Sequence, residues 1–212
     1  DCMTTYIKAL AACLLSIAMI GCTMQEQPTQ SGLLRSNFQI EHMGMQTDLY
    51  TLTNDNGMEV CFTNFGGRIV SILVPDRHGN MLDICLGHDS IADYIRYGYQ
   101  GCNFGALIGR YGNRIKDGMF TLDGIEYQLP RNNDGNCLHG GGDIAFHNRM
   151  WQAQPISNSS IAFTTISPDG EDGFPGNLSV KITYTLTNDN AITISYEATT
   201  DKPTVINLTN HC

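Results

Sequence analysis

Three short segments of the 212-residue chain carry more specific polar side chains than folding requires. The first, Gly105-Ala106-Leu107-Ile108-Gly109-Arg110-Tyr111-Gly112-Asn113-Arg114-Ile115, sets two arginines and an amide in a glycine-rich stretch. Glycines let the backbone turn tightly, while guanidinium forks and an amide supply directional donors suited to hydroxyl oxygens. A phosphate cradle is disfavoured, because no Gly-Lys-Ser/Thr ending follows and no helix opens after it. The second segment, Asn136-Cys137-Leu138-His139-Gly140-Gly141-Gly142, places a histidine before three glycines. The third, Asn207-Leu208-Thr209-Asn210-His211, ends in a histidine flanked by polar residues. An imidazole that titrates near neutrality can both give and recover a proton. Each segment taken singly also reads as a surface loop with solvated side chains, so the elements around them must decide.

Those elements read as strands. Residues 58–63 alternate apolar with polar after the turn pair Asn56-Gly57, the pattern of a half-buried strand, and form a hairpin with residues 50–53. Residues 68–74 make a second β-rich run ending at Pro75, and residues 81–86 a third. Asp123-Gly124 between residues 118–122 and 125–129 is a strong two-residue hairpin signal. Residues 180–187 and 191–199 flank Asn188-Asp189-Asn190, and residues 204–208 follow Pro203 as a further strand. Only residues 90–97 invite a helical turn or two. Closely spaced strands with turn residues between them and no βαβ rhythm imply an all-β, antiparallel sandwich.

Composition narrows the chemistry. Lys and Arg total 12 against 21 Asp and Glu, a net charge of -9, and no basic cluster appears, so nucleic-acid binding is excluded as a reading. Lys8 precedes an apolar run to Gly21 that suits a signal-peptide core and is short for a span of about 30 Å. Met19-Ile20-Gly21-Cys22 resembles a bacterial lipoprotein processing box. Residues 1–21 are therefore expected to be a signal peptide, Cys22 a lipidated amino terminus, residues 22–36 a tether, and residues 37–212 the folded domain. That predicts an exported protein of the bacterial cell envelope, anchored to the membrane by lipid. The cysteines after Cys22 are Cys61, Cys85, Cys102, Cys137 and Cys212, without zinc-ligand spacing. Disulfides are open in an exported chain, but Cys61 and Cys85 lie in apolar strand patterns and read as buried thiols. Asp169, Glu171 and Asp172 could hold a calcium ion, yet they lack an EF-hand pattern and read rather as a solvated turn.

From about Phe38 to Cys212 the chain resembles the aldose 1-epimerase (galactose mutarotase) family. Gly109-Arg110-Tyr111-Gly112-Asn113-Arg114-Ile115 is similar to the family's Gly-Arg-x-Ala-Asn-Arg-Ile signature, departing at Gly112. Phe120-x-Leu122-Asp123-Gly124-x-x-Tyr127-x-Leu129, Asn133, Asn136, Leu138-His139-Gly140-Gly141 and Trp151 follow in the family's order. Gly173-Phe174-Pro175-Gly176 and Asn207-Leu208-Thr209-Asn210-His211 look like two further family motifs.

The resemblance implies a galactose mutarotase-like supersandwich. The implied enzyme interconverts the α and β anomers of aldohexoses such as galactose or glucose by acid-base ring opening and closure, with no cofactor. His211 matches the family's acid, His139 its ring-oxygen-polarising and sugar-binding histidine, and Asn113 with Arg114 the residues that hold sugar hydroxyls. The family's base, a Glu, and a sugar-gripping Asp are expected beyond Cys212. The implied consequence is an incomplete sandwich and an inactive chain, monomeric by default. A non-catalytic carbohydrate-binding sandwich of the same fold is the alternative.

Overall fold

The computed structural model describes residues 26–212. The signal segment and Cys22 lie outside the described residues. A short ribbon, β1 (Glu41–His42) with β2 (Met45–Gln46), leads into an antiparallel meander. That meander is β3 (Leu49–Thr53), β4 (Glu59–Thr63), β5 (Arg68–Pro75) and β6 (Met81–Asp83), hydrogen-bonded in that order. Helix α1 (Ile91–Gly98) follows, then the short strands β7 (Leu107–Ile108), β8 (Arg114–Ile115), β9 (Met119–Leu122), β10 (Ile125–Gln128) and β11 (Cys137–Leu138). A second antiparallel meander contains β12 (Gln152–Ser157), β13 (Ser160–Ser167), β14 (Leu178–Leu186) and β15 (Ile192–Thr200), and β16 (Thr209–Asn210) comes last.

The two four-stranded sheets face each other across one core. In β14, Leu178, Val180, Ile182, Tyr184 and Leu186 point inward while Ser179, Lys181 and Thr185 point away, the period of two that a one-sided sheet requires. These residues meet Leu52, Val60, Phe62, Ile69 and Ile72 of the first sheet, with Phe163 and Trp151 between. Phe62 packs at 4.8 Å from Tyr184 and 6.1 Å from Phe163, ring centre to ring centre. Each such side chain removed from water contributes roughly 1.5–3 kcal/mol. The antiparallel sandwich expected from the strand spacing is the architecture observed.

The central strands of the first sheet are covered on both faces, so β4 is wholly buried rather than half-buried as its alternation suggests. Its outer face, Leu49, Cys61, Phe65 and Val70, is covered by Phe38 and by Ile91 and Tyr94 of α1. Ser90 caps that helix, its Oγ accepting from the Asp93 N–H at 3.2 Å. Burial of Glu59 is made possible by the chain amino-terminal to the sheet: its carboxylate accepts from the N–H groups of Gln30 and Ser31, each at 3.0 Å. Leu33 is buried as well. Part of the segment expected as tether thus packs on β4.

Two strand expectations change. β6 stops at Asp83, whose carboxylate accepts the N–H groups of Ile72 and Cys85, both at 3.0 Å; one more backbone bond, from the Ile84 N–H to Ile72 O at 2.9 Å, follows it. Cys85 consequently lies past the strand end, half-buried rather than in the core. Residues 204–208 are not a strand; Asn207 makes a single parallel bridge to Tyr111, and regular pairing starts at Thr209, where β16 meets β7.

Candidate functional site

The backbone zips the three singled-out segments side by side. On one flank, β16 pairs with β7 (Thr209 opposite Ile108, Asn210 opposite Leu107), and the His211 N–H donates to Ala106 O at 2.9 Å. Further along the same flank, the Asn207 N–H donates to Arg110 O at 2.9 Å and the Gly112 N–H to Asn207 O at 2.7 Å. On the other flank, β11 pairs with β8 (Leu138 opposite Arg114), and the His139 N–H donates to Asn113 O at 3.0 Å. The arginine-rich segment is therefore the middle member, and the two histidines, 72 positions apart in sequence, converge beside it. Their rings meet edge to face with centres 5.2 Å apart and planes at 84°.

Asn113 and His139 both sit in the left-handed backbone region, at φ 65° and 57°. Non-glycine residues stay there only where surrounding structure over-determines them. Here the two hold each other: besides the backbone bond, the Asn113 N–H donates to His139 Nδ1 at 3.1 Å. With Nδ1 accepting, the proton of the neutral ring resides on Nε2, leaving a donor free to polarise an oxygen. Burial, with His211 and Arg114 nearby, lowers the His139 pKa and favours that neutral form. The exposed Arg114 donates through Nε to Asn133 Oδ1 at 2.8 Å and through Nη1 to Asn113 Oδ1 at 3.4 Å, engaging two of its five N–H groups. All four expected site residues, Asn113, Arg114, His139 and His211, thus fall in one locality.

Gly140 allows the close approach. A Cβ there would lie 2.0 Å from Gly109 O, and its φ of +86° already favours glycine. Beside His211 opens a cavity of about 560 Å³, bordered by Ile84, Leu86, Phe104 and Cys212. Asn210 fixes the strand that carries His211, donating through Nδ2 to Gly105 O at 2.7 Å and to the Tyr184 hydroxyl at 3.0 Å.

Arg110 has a different role from Arg114. It is buried, and its guanidinium donates to Ser167 O, Pro168 O, Pro175 O and Gly176 O at 2.8–3.0 Å and to Ser167 Oγ at 2.9 Å. It holds the 167–176 loop rather than facing a ligand. Two further residues escaped the sequence reading. Buried Arg68 donates to Cys102 O, Phe104 O and His147 O, tying together the loops on either side of the site. Buried His147 keeps Nδ1 without a partner, and burial beside Arg68 pushes its pKa down to about 3. Both lie outside any pattern: Arg68 opens an apolar strand and His147 sits in a single 3-10 turn over Phe146–Asn148.

Asp169 lies exposed in a turn as expected, whereas Glu171 and Asp172 are half-buried, and the three carboxylates do not converge on one point. Glu171 is paired with Arg149 and Ser167, Asp169 with Lys202 and the Gly176 N–H, and Asp172 packs against Gly141. No cluster of three or more metal-ligating side chains occurs among the described residues.

The family model described as aldose 1-epimerase matches residues 48–212. The chain belongs to the aldose 1-epimerase family. Galactose mutarotase of Rattus norvegicus and aldose 1-epimerase of Escherichia coli K12 are each 39% identical to it over 168 residues, covering 79% of this chain and 47% of theirs. Among solved structures, the aldose epimerase homologue from C. elegans superposes with a TM-score of 0.73 at 30% identity, covering 78% of this chain and 50% of that one. The galactose 1-epimerase from Lactobacillus acidophilus NCFM gives a TM-score of 0.70 at 29% identity, covering 82% and 50%. This aldose 1-epimerase family chain therefore spans about half the length of the curated relatives it matches.

Proposed function

We propose that residues 37–212 supply the sugar-holding and acid half of an aldose 1-epimerase acting on an aldohexose such as galactose or glucose. The convergence of His139 and His211 beside Asn113 and Arg114 carries the reading. Asn113 and Arg114 hold ring hydroxyls. His139, neutral with its proton on Nε2, polarises the ring oxygen. His211 protonates that oxygen as the C1–O5 bond breaks and takes the proton back on reclosure, so no full alkoxide has to form. A base must remove the C1 hydroxyl proton, and among the described residues no carboxylate lines the cavity beside His211. The 212-residue chain accordingly binds sugar without accelerating mutarotation. Breaking and re-forming the C1–O5 bond needs only acid-base assistance and calls on no cofactor, and the domain acts as a monomer. Its place is the bacterial envelope, exported by residues 1–21 and held to the membrane by lipid on Cys22.

Titration with galactose and glucose followed by ligand-observed NMR, alongside polarimetry of freshly dissolved α-galactose, tests this. Saturable binding that is lost in Arg114→Ala and His139→Ala, with an optical-rotation rate equal to the spontaneous one, is the expected result. A complete absence of binding sinks the site assignment. Turnover above the spontaneous rate that survives His211→Ala sinks the role given to His211.

A further inference from the structure

Cys85 and Cys212, 127 positions apart, bring their sulfurs to 3.0 Å at the rim of the cavity beside His211. That is closer than two sulfurs rest in ordinary van der Waals contact, and both thiols are free. The elements that carry them are fixed independently. Cys85 is held by its N–H donating to Asp83 Oδ1 at 3.0 Å, at the end of β6. Cys212 is held by its N–H donating to Asn210 Oδ1 at 2.8 Å, at the end of β16. Asn210 itself is anchored through Nδ2 to Gly105 O and the Tyr184 hydroxyl. The pairing therefore arises from two anchored strand ends and not from chance contact of mobile side chains. The remaining described cysteines have other environments: Cys61 and Cys137 are buried, and Cys102 faces His88.

We propose that Cys85 and Cys212 form an intramolecular disulfide that closes the rim of this cavity and pins the strand end next to His211. The oxidant is a disulfide, either a small-molecule one or that of a thiol–disulfide oxidoreductase. The exposed Cys212 reacts first. Its thiolate attacks one sulfur of the external disulfide, forming a mixed disulfide and expelling one thiolate. Cys85, deprotonated in turn, then attacks Cys212 Sγ, forming the internal S–S bond and expelling the second thiolate. Two protein thiols are oxidised by two electrons in all, the external disulfide is reduced to two thiols, and both cysteine protons end on the leaving thiolates or solvent. The order of attack agrees with the electrostatics: a hydrogen bond from the Cys85 thiol lowers the Cys212 pKa to about 7, while the same contact and burial raise that of Cys85.

The test is oxidation of the folded 212-residue chain with oxidised glutathione, acid quenching, alkylation of remaining thiols and peptide mapping without reduction. The expected product is a linked peptide pair containing Cys85 and Cys212. It is retained in Cys61→Ser and Cys137→Ser and absent from Cys85→Ser and Cys212→Ser. In Cys85→Ser, Cys212 accumulates as the glutathione mixed disulfide, because the resolving thiol is gone. Recovery of Cys85 and Cys212 both alkylated, or a mixed disulfide at Cys212 that persists in the unsubstituted chain, overturns the proposal. So does an equal yield of other cysteine pairings. None of these readouts depends on sugar binding or turnover, so they stand or fall apart from the function proposed above.

Discussion

Arg110 and Arg114 lie four positions apart in one motif and look equivalent in sequence, yet the structure gives them opposite energetic roles. Replacing Arg110 by Met keeps the length and removes every donor. The carbonyls of Ser167, Pro175 and Gly176, reached by buried hydrogen bonds, then lose their partner. An acceptor left unpaired in the interior costs about 1–3 kcal/mol, so three of them near the lower end cost about 3–4 kcal/mol. That is a large share of the roughly 5–15 kcal/mol by which domains are stable. Urea unfolding followed by tryptophan fluorescence reads it directly, since Trp151 is buried in the core. With a slope of about 2 kcal/mol per molar urea, the midpoint falls by about 1.5–2 M. Arg114→Met, at an exposed position, moves the midpoint by no more than about 0.25 M, corresponding to the ±0.5 kcal/mol usual for surface changes. Arg110→Lys, with three donors on one ammonium in place of a planar fork, falls between the two. A fall of less than about 0.5 M for Arg110→Met at unchanged slope would refute the reasoning.

His147 makes stability depend on pH. Its folded pKa of about 3 lies far below the unfolded value, so the unfolded chain binds the extra proton and stability is lost as pH falls below about 6.5. Between pH 6.5 and 5 that loss amounts to about 1.6 kcal/mol; it should be absent from His147→Gln, so the stability of the unsubstituted chain relative to that variant should fall by this amount across the same range. Gly140→Ala should unfold the chain or cost well over 3 kcal/mol, because overpacking against Gly109 O adds to the left-handed φ. Gly124→Ala, at φ +78° with no atom within 4 Å, pays only the backbone cost of about 1–2 kcal/mol. Equal thermal shifts for the two variants would disprove the close approach at Gly140.

Much of the architecture was legible because it rests on local rules. The Asp123-Gly124 hairpin forms with Leu122 opposite Ile125, as its two-residue turn requires. The alternation in β14 places its apolar side chains in the core without help from the rest of the chain. Misreadings arose where a distant segment supplied what the local pattern lacked. Alternation in β4 predicts a wet face, but α1 and the chain around Gln30 and Ser31 cover it and satisfy Glu59. Residues 204–208 have strand-like composition, yet the partner they meet is the 105–115 segment, which gives a single bridge at Asn207 and a regular ladder only from Thr209.

For the site, the sequence by itself determined the cast: an amide, a guanidinium and two histidines in three motifs, together with the family they resemble. Tertiary structure decided everything that depends on long-range contact. It brought His139 and His211 to 5.2 Å, set the tautomer of one through the Asn113 backbone, and separated a buried structural arginine from an exposed one. It also placed Cys85 against Cys212. Turn and strand propensities act over a few neighbouring residues, whereas burial and hydrogen-bond partners are fixed by chain segments tens of positions away. The sequence therefore names the side chains, and only the fold assigns their partners.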